Sequence, residues 1–131
     1  MGWHYVDRGD PADYDLKYGY STPTNWTPIQ DAHYHELDIS PYVPVGAKKV
    51  RLNVVVRGTT SLRTFGLRKR GQQNMYNVEA ITTQIANVHI RGQKEIVLDD
   101  SRIIEYYCTA VPSGNKLDMI CIAVEGWWME D

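Results

Sequence analysis

Hydrophobic and polar residues alternate most regularly in Lys48–Gly58, KKVRLNVVVRG, where Val50, Leu52, Val54 and Val56 share one face of an extended strand. Arg51, Asn53, Val55 and Arg57 share the other. Period-two alternation with β-branched residues predicts a strand with one buried face. Pro41, Pro44 and Gly46 punctuate its approach, and Gly58-Thr59-Thr60 ends it. Upstream, Leu37 and Ile39 alternate inward, and Ser40–Gly46 forms a compact crossing into the central strand. Leu62–Arg70 predicts a second strand, with Arg63, Phe65 and Leu67 alternating against Leu62, Thr64 and Gly66. Gly66 marks a bulge or a close approach. Gly71–Asn77 turns into a strand at Val78–Ile81. Thr82–Ile90 predicts another, with Thr83, Ile85, Val88 and Ile90 inward across a bulge at Asn87. Gly92-Gln93 then turns into Glu95–Leu98, Asp99-Asp100-Ser101 into Ile103–Ala110, and Pro112–Asn115 into Leu117–Trp128. Strands about ten residues apart, separated by Gly, Pro, Asn and Asp, predict an all-β fold: an antiparallel β-sandwich, jelly-roll-like. Helical periodicity, internal repeats and low-complexity tracts are absent from the sequence.

Residues 1–32 read differently. Aspartates 7, 10, 13, 15 and 31 sit among Trp3, Tyr5, Tyr14, Tyr18, Tyr20 and Trp26, with few aliphatics, and Pro11, Pro23 and Pro28 break any long element. The expectation is an irregular N-terminal arm over residues 1–32 that packs its aromatics on a partner or a sheet, and a sandwich domain over 33–131. Partial disorder is the alternative, disfavoured because disordered tails are poor in aromatics. Three local matches carry little. Arg8-Gly9-Asp10 spells an integrin tripeptide with nothing around it to support that role, so chance is the better reading. Asn25-Trp26-Thr27 is a glycosylation sequon in form only, given the absence of a secretory signal. His33-Tyr34-His35 places two imidazoles on one strand face near Asp31 or Asp38, but two ligands without a defined third do not make a metal site.

Charge changes the picture more than composition does. At 131 residues the chain is one domain by length, and 43% hydrophobic with 23% charged residues is ordinary for a globular protein. A net charge of −2 offers no whole-molecule attraction to nucleic acid or membrane. The distribution is uneven. No acid occurs between Asp38 and Glu79, where Lys48, Lys49, Arg51, Arg57, Arg63, Arg68, Lys69 and Arg70 fall, while the first 38 residues carry many acids against only Arg8 and Lys17. One reading is a solvated basic face made by Lys48, Arg51, Arg57, Arg63, Arg68 and Arg70. A sharper one lays the acidic arm on that face, within one subunit or between subunits. Nucleic acid is the weakest partner, since only Phe65 interleaves with these basic residues.

Nine Tyr and four Trp against one Phe favour half-exposed and interface positions, or simply strands that use Tyr. Cys108 and Cys121 fall on two arms of a possible hairpin around Pro112–Lys116, directly opposite or diagonal depending on the loop, and two free buried thiols are expected. The start of the chain, MGWHYVDRGD, has neither a basic nor an apolar signal region, and no stretch approaches the roughly 20 apolar residues of a membrane span, so no membrane partner is expected.

The sequence contains no Gly-rich phosphate loop, nucleophile elbow or metal-protease motif. Asp99-Asp100 reads as a turn rather than as paired catalytic carboxylates, because neighbouring turn residues point apart. Neither a cofactor nor a catalytic residue is expected.

Several segments together carry a resemblance. They are Glu36-Leu37-Asp38-Ile39-Ser40 with Val43-Pro44-Val45-Gly46-Ala47-Lys48, then Leu67-Arg68-Lys69-Arg70-Gly71 with Asn74 and Tyr76-Asn77-Val78, and finally Val124-Glu125-Gly126-Trp127-Trp128. Over roughly residues 36–128 the chain resembles β-sandwich proteins of bacteriophage virions, both capsid decoration proteins and tail-fibre tips. The resemblance implies a non-enzymatic virion component, made in the host cytoplasm, that assembles as a homotrimer and docks on a capsid or other virion protein. The arm residues Trp3, Tyr5, Tyr14, Tyr18, Tyr20 and Trp26, with Trp127 and Trp128, are the expected contacts, and deleting residues 1–30 is expected to leave a folded domain that assembles less well. The alternative is a carbohydrate-binding module, free-standing or at a fibre tip, that stacks a glycan on exposed aromatics.

Overall fold

The computed structural model describes residues 2–9, 14–19, 24–72, 79–109 and 116–131, and two antiparallel sheets account for their architecture. The strands are β1 (Trp3–Asp7), β2 (Leu16–Gly19), β3 (Tyr34–Asp38), β4 (Lys49–Gly58), β5 (Thr64–Lys69), β6 (Glu79–Thr82), β7 (Ile90–Val97), β8 (Ile103–Cys108) and β9 (Leu117–Glu130). A five-stranded sheet runs β1-β9-β4-β7, with β2 on the same edge of β9 as β1, and a four-stranded sheet runs β3-β8-β5-β6. The expected all-β, two-sheet sandwich is the observed fold.

The central strand is where its alternation places it. Val50, Leu52, Val54 and Val56 are fully buried, and β4 is flanked by β9 and β7. Facing them across the sandwich lie Leu37, Phe65, Leu67, Ile104 and Tyr106 from the second sheet. Full burial of each such aliphatic or aromatic side chain contributes about 1.5–3 kcal/mol. Ile39 and Val43 close one end of this core around a 3-10 turn at Ser40–Tyr42. Gly66 is a close approach: a Cβ there would stand 3.2 Å from the Tyr34 hydroxyl.

Several segments depart from the sequence expectation. Residues 3–7 and 16–19, expected in an irregular arm, are strands paired with β9, and Leu16 joins the core. Their apolar content is low because each covers only part of one edge of β9. Residues 83–89 form a turn instead of a strand: Asn87 has φ +60°, and Ile85 and Val88 face solvent while Thr83 is buried. Gly92-Gln93 does not turn but lies within β7, where Gly92 makes room for Ile81, whose Cδ1 would stand 3.2 Å from a Cβ. Cys108 and Cys121 are not on one hairpin. β8 and β9 belong to different sheets, both thiols are free, and Cys121 is only half-buried. The expected turn over 73–77, with Val78, and the loop 112–115 lie outside the described residues.

Candidate interaction surface

The outer face of the five-stranded sheet gathers aromatic and charged side chains from four strands. Cross-strand register sets Tyr5 opposite Trp128, Trp3 opposite Glu130, Lys49 opposite Trp128, and Arg51 opposite both Gly126 and Glu95. A bulge decides which tryptophan faces out. The register of β9 against β4 shifts between Arg51 and Leu52, leaving Glu125 as the extra residue. Beyond it Trp127 pairs with Val50 and packs against the core, while Trp128 joins the outer face.

The result is a tight aromatic–cation cluster. The Tyr5 and Trp128 rings meet edge-on, 4.8 Å between centroids at 60°. The Arg51 guanidinium lies 4.8 Å from the Tyr5 centroid and 5.3 Å from that of Trp128, and the Lys49 ammonium lies 4.7 Å from Trp128. Glu95 holds both cations, at 2.9 Å from Lys49 Nζ and 3.0 Å from Arg51 Nη2. Gly126 is the structural condition for the cluster, because a Cβ there would collide with the Tyr5 ring and hydroxyl. Burial raises the Tyr5 hydroxyl pKa, against the opposing Arg51 charge. Hydrogen bonds from Lys49 and Arg51 hold the Glu95 carboxyl below the usual carboxylate range, against some desolvation. Trp3, 46% exposed, extends the patch along the sheet edge. The arrangement is a pre-ordered, amphipathic plate of the composition that protein interfaces favour.

Other expected contact residues lie elsewhere. Tyr18 packs against the core, and Trp26 packs edge-on to Tyr106 at 5.0 Å and to Phe65 at 6.5 Å. Tyr14 is half-buried, and Tyr20 lies outside the described residues. The single basic face is replaced by two surfaces, because β4 and β5 belong to different sheets. Arg51 and Arg57 are on the outer face of one; Arg68 is on that of the other, 3.6 Å from the Tyr34 ring and 2.6 Å from Glu105. Acid partners come from neighbouring strands and turns: Lys48 faces Glu130, Arg57 pairs with Asp118, and Arg70 with Asp99 and Glu36. Arg63 is half-buried in the β4–β5 loop. Within the N-terminal segment, Arg8 donates to both Asp15 oxygens, at 2.6 and 2.9 Å, and Asp15 accepts the Val124 N–H at 2.7 Å. The arginine of the tripeptide at residues 8–10 is thus an internal tie.

The remaining motifs are also used locally. The Asn25 side chain accepts from Lys17 N and donates to Asp15 O, acting as a short substitute strand beside β2. His35 Nε2 lies 2.8 Å from Asp31 Oδ1, and no group of three or more potential metal ligands occurs among the described residues. Lys49, Glu95 and Gly126 are the cluster members that sequence reading missed. The available signal was their place on outward positions of strands beside Arg51 and Trp128.

No protein-family model matches the chain, and no curated protein matches it. Among solved structures, the coat protein of Tobacco streak virus is similar with a TM-score of 0.45 and 10% identity, covering 96% of this chain and 83% of that one.

Proposed function

We propose that this chain is a non-enzymatic structural protein of a bacteriophage virion, a capsid decoration protein that self-associates as a homotrimer and docks on a larger assembly. The resemblance over residues 36–128 suggests the class. The observation that carries the reading is the Trp3–Tyr5–Trp128 patch with Arg51, a partly exposed aromatic surface fixed by Glu95 and placed next to the sheet edge. Aromatic and arginine side chains of this kind dominate protein interfaces when they become fully desolvated. Light scattering at two salt concentrations tests it. A trimer is expected for the wild type, and a Trp3→Ala/Trp128→Ala variant is expected to dissociate at concentrations about tenfold or more higher. A monomeric wild type at both salts overturns the self-association. The same half-buried rings support a glycan-binding reading, but their edge-on geometry suits a protein partner better than a flat sugar face. Quenching of tryptophan fluorescence by oligosaccharides, lost in Trp128→Ala, would reverse that preference.

A further inference from the structure

Four of the large apolar side chains that face solvent cluster at the end of the sandwich where β4 gives way to β5 and β6 to β7. Leu62 is 65% exposed, Ile85 63%, Val88 43%, and Ile29 on the flank 51%. The two loops are bound to each other. Leu62 N–H donates to Thr83 O, Thr83 N–H to Arg63 O, and Asn87 N–H to Gly58 O. The buried Thr83 hydroxyl donates to Thr60 O and accepts from Arg63 N–H. Thr59 N–H donates to Lys116 O, and Gln30 bonds both backbone groups of Leu117, which brings residues 29–30 and 116–117 to the same end. Leu62 holds φ +62°, a left-handed conformation in which a bulky side chain is strained. The surrounding bonds fix that conformation and leave the side chain in water.

The charge at this end has one sign in excess. Loop residues 59–63 and 83–89 contain Arg63 and His89 and no acid. Arg91 and Lys116 flank them, and the acids nearby in the fold are engaged: Asp118 with Arg57, and Asp31 with His35.

We infer that this tip docks on an anionic lipid surface, its aliphatic side chains entering the headgroup region while the basic residues meet lipid phosphates. Charge complementarity favours an anionic occupant, and the internal pairing of the tip's backbone favours lipid over protein. The N–H groups of Thr59, Leu62, Arg63, Thr83 and Asn87 are already bonded within the protein, so those groups can enter an apolar layer without the cost of stripping them of water. Aliphatic side chains together with a few basic residues are the two elements that reversible membrane attachment needs. The chain's net charge of −2 is an average that the fold sorts, so it does not describe this end. The tip lies at the other end of β4 from the Trp128 cluster, so one surface can be occupied without the other.

Co-sedimentation with extruded vesicles tests the inference, using phosphatidylcholine alone and phosphatidylcholine with about one third phosphatidylserine. The wild-type protein is expected to sediment with the anionic vesicles at low salt and to release as salt rises. Ile85→Ser/Val88→Ser should weaken binding by about tenfold or more. Leu62→Gly, which removes the apolar side chain and relieves the left-handed strain, should act in the same direction with the fold intact by circular dichroism. Arg91→Gln/Lys116→Gln should weaken binding to the anionic vesicles and flatten its salt dependence. Failure of the wild type to bind anionic vesicles at low salt overturns the inference. So does binding that survives both Ile85→Ser/Val88→Ser and Leu62→Gly. A drop in the free protein's molar mass for Ile85→Ser/Val88→Ser would show that a second copy covers the tip, and would equally overturn it.

Discussion

Glu95 and Cys108 show how a strand position sets side-chain chemistry. Glu95 sits opposite Arg51 and diagonally across from Lys49, two residues along the same face of β4, so two cations bond to the carboxylate and lower its pKa. A carboxyl with a folded pKa below its unfolded one contributes stability that is present above the unfolded value and lost as pH falls through the folded value. Lowering the pH below the ordinary glutamate range of about 4.3 should therefore loosen the Lys49–Glu95–Arg51 tie. The Glu95 carboxyl resonance followed by NMR should titrate below the ordinary glutamate value of about 4.3, and a midpoint at or above that value would refute the tie. Cys108 is a different case. It points into the core, and burial pushes its thiol pKa up to about 12, with a smaller contribution from Asp31. Since the thiolate is the nucleophile, native protein should alkylate at half-buried Cys121 and spare Cys108 until it unfolds. Equal labelling rates for the two, read by mass spectrometry, would contradict that burial. Position in the sequence signals neither property, because both depend on which sheet and which face receive the residue.

At the scale of elements, alternation located β4, β5 and the inward positions Leu37 and Ile39, while turn residues located β8 and β9. β1 and β2 escaped it. Their hydrogen bonds go to one edge of β9, and much of their apolar surface is aromatic, so an alternation of aliphatics never forms. Residues 82–90 failed in the opposite direction: Thr83, Ile85, Val88 and Ile90 have the spacing of a strand, yet the chain turns through Asn87 and presents two of them to water. The pairing of β1 and β2 also revises what deletion should do. Removing residues 1–9 takes away one short strand. Removing 1–30 also takes Leu16 and Trp26 from the core and uncovers a second length of β9. Each large side chain lost from a core lowers stability by about 2–5 kcal/mol. The longer deletion should therefore unfold at markedly lower denaturant concentration than the shorter one. A matching midpoint for the two would mean that β2 and Trp26 contribute little.

For the whole molecule, the sequence located the layers but not the partition of strands between them. Placing β4 and β5 in different sheets divides the basic residues between two outer faces and separates Cys108 from Cys121. Local pattern is silent on such long-range pairing. The same topology has a consequence for biosynthesis. β9 is the fourteen-residue strand against which β1, β2 and β4 all pair, yet it follows every one of them in the chain. As the polypeptide leaves the ribosome, β4 has only β7 beside it, and β1 and β2 wait without a neighbour until nearly the last residues described here are made. Closure of that sheet is thus a late event of high contact order, and the waiting edge of β4 is the place where a nascent chain most needs a chaperone.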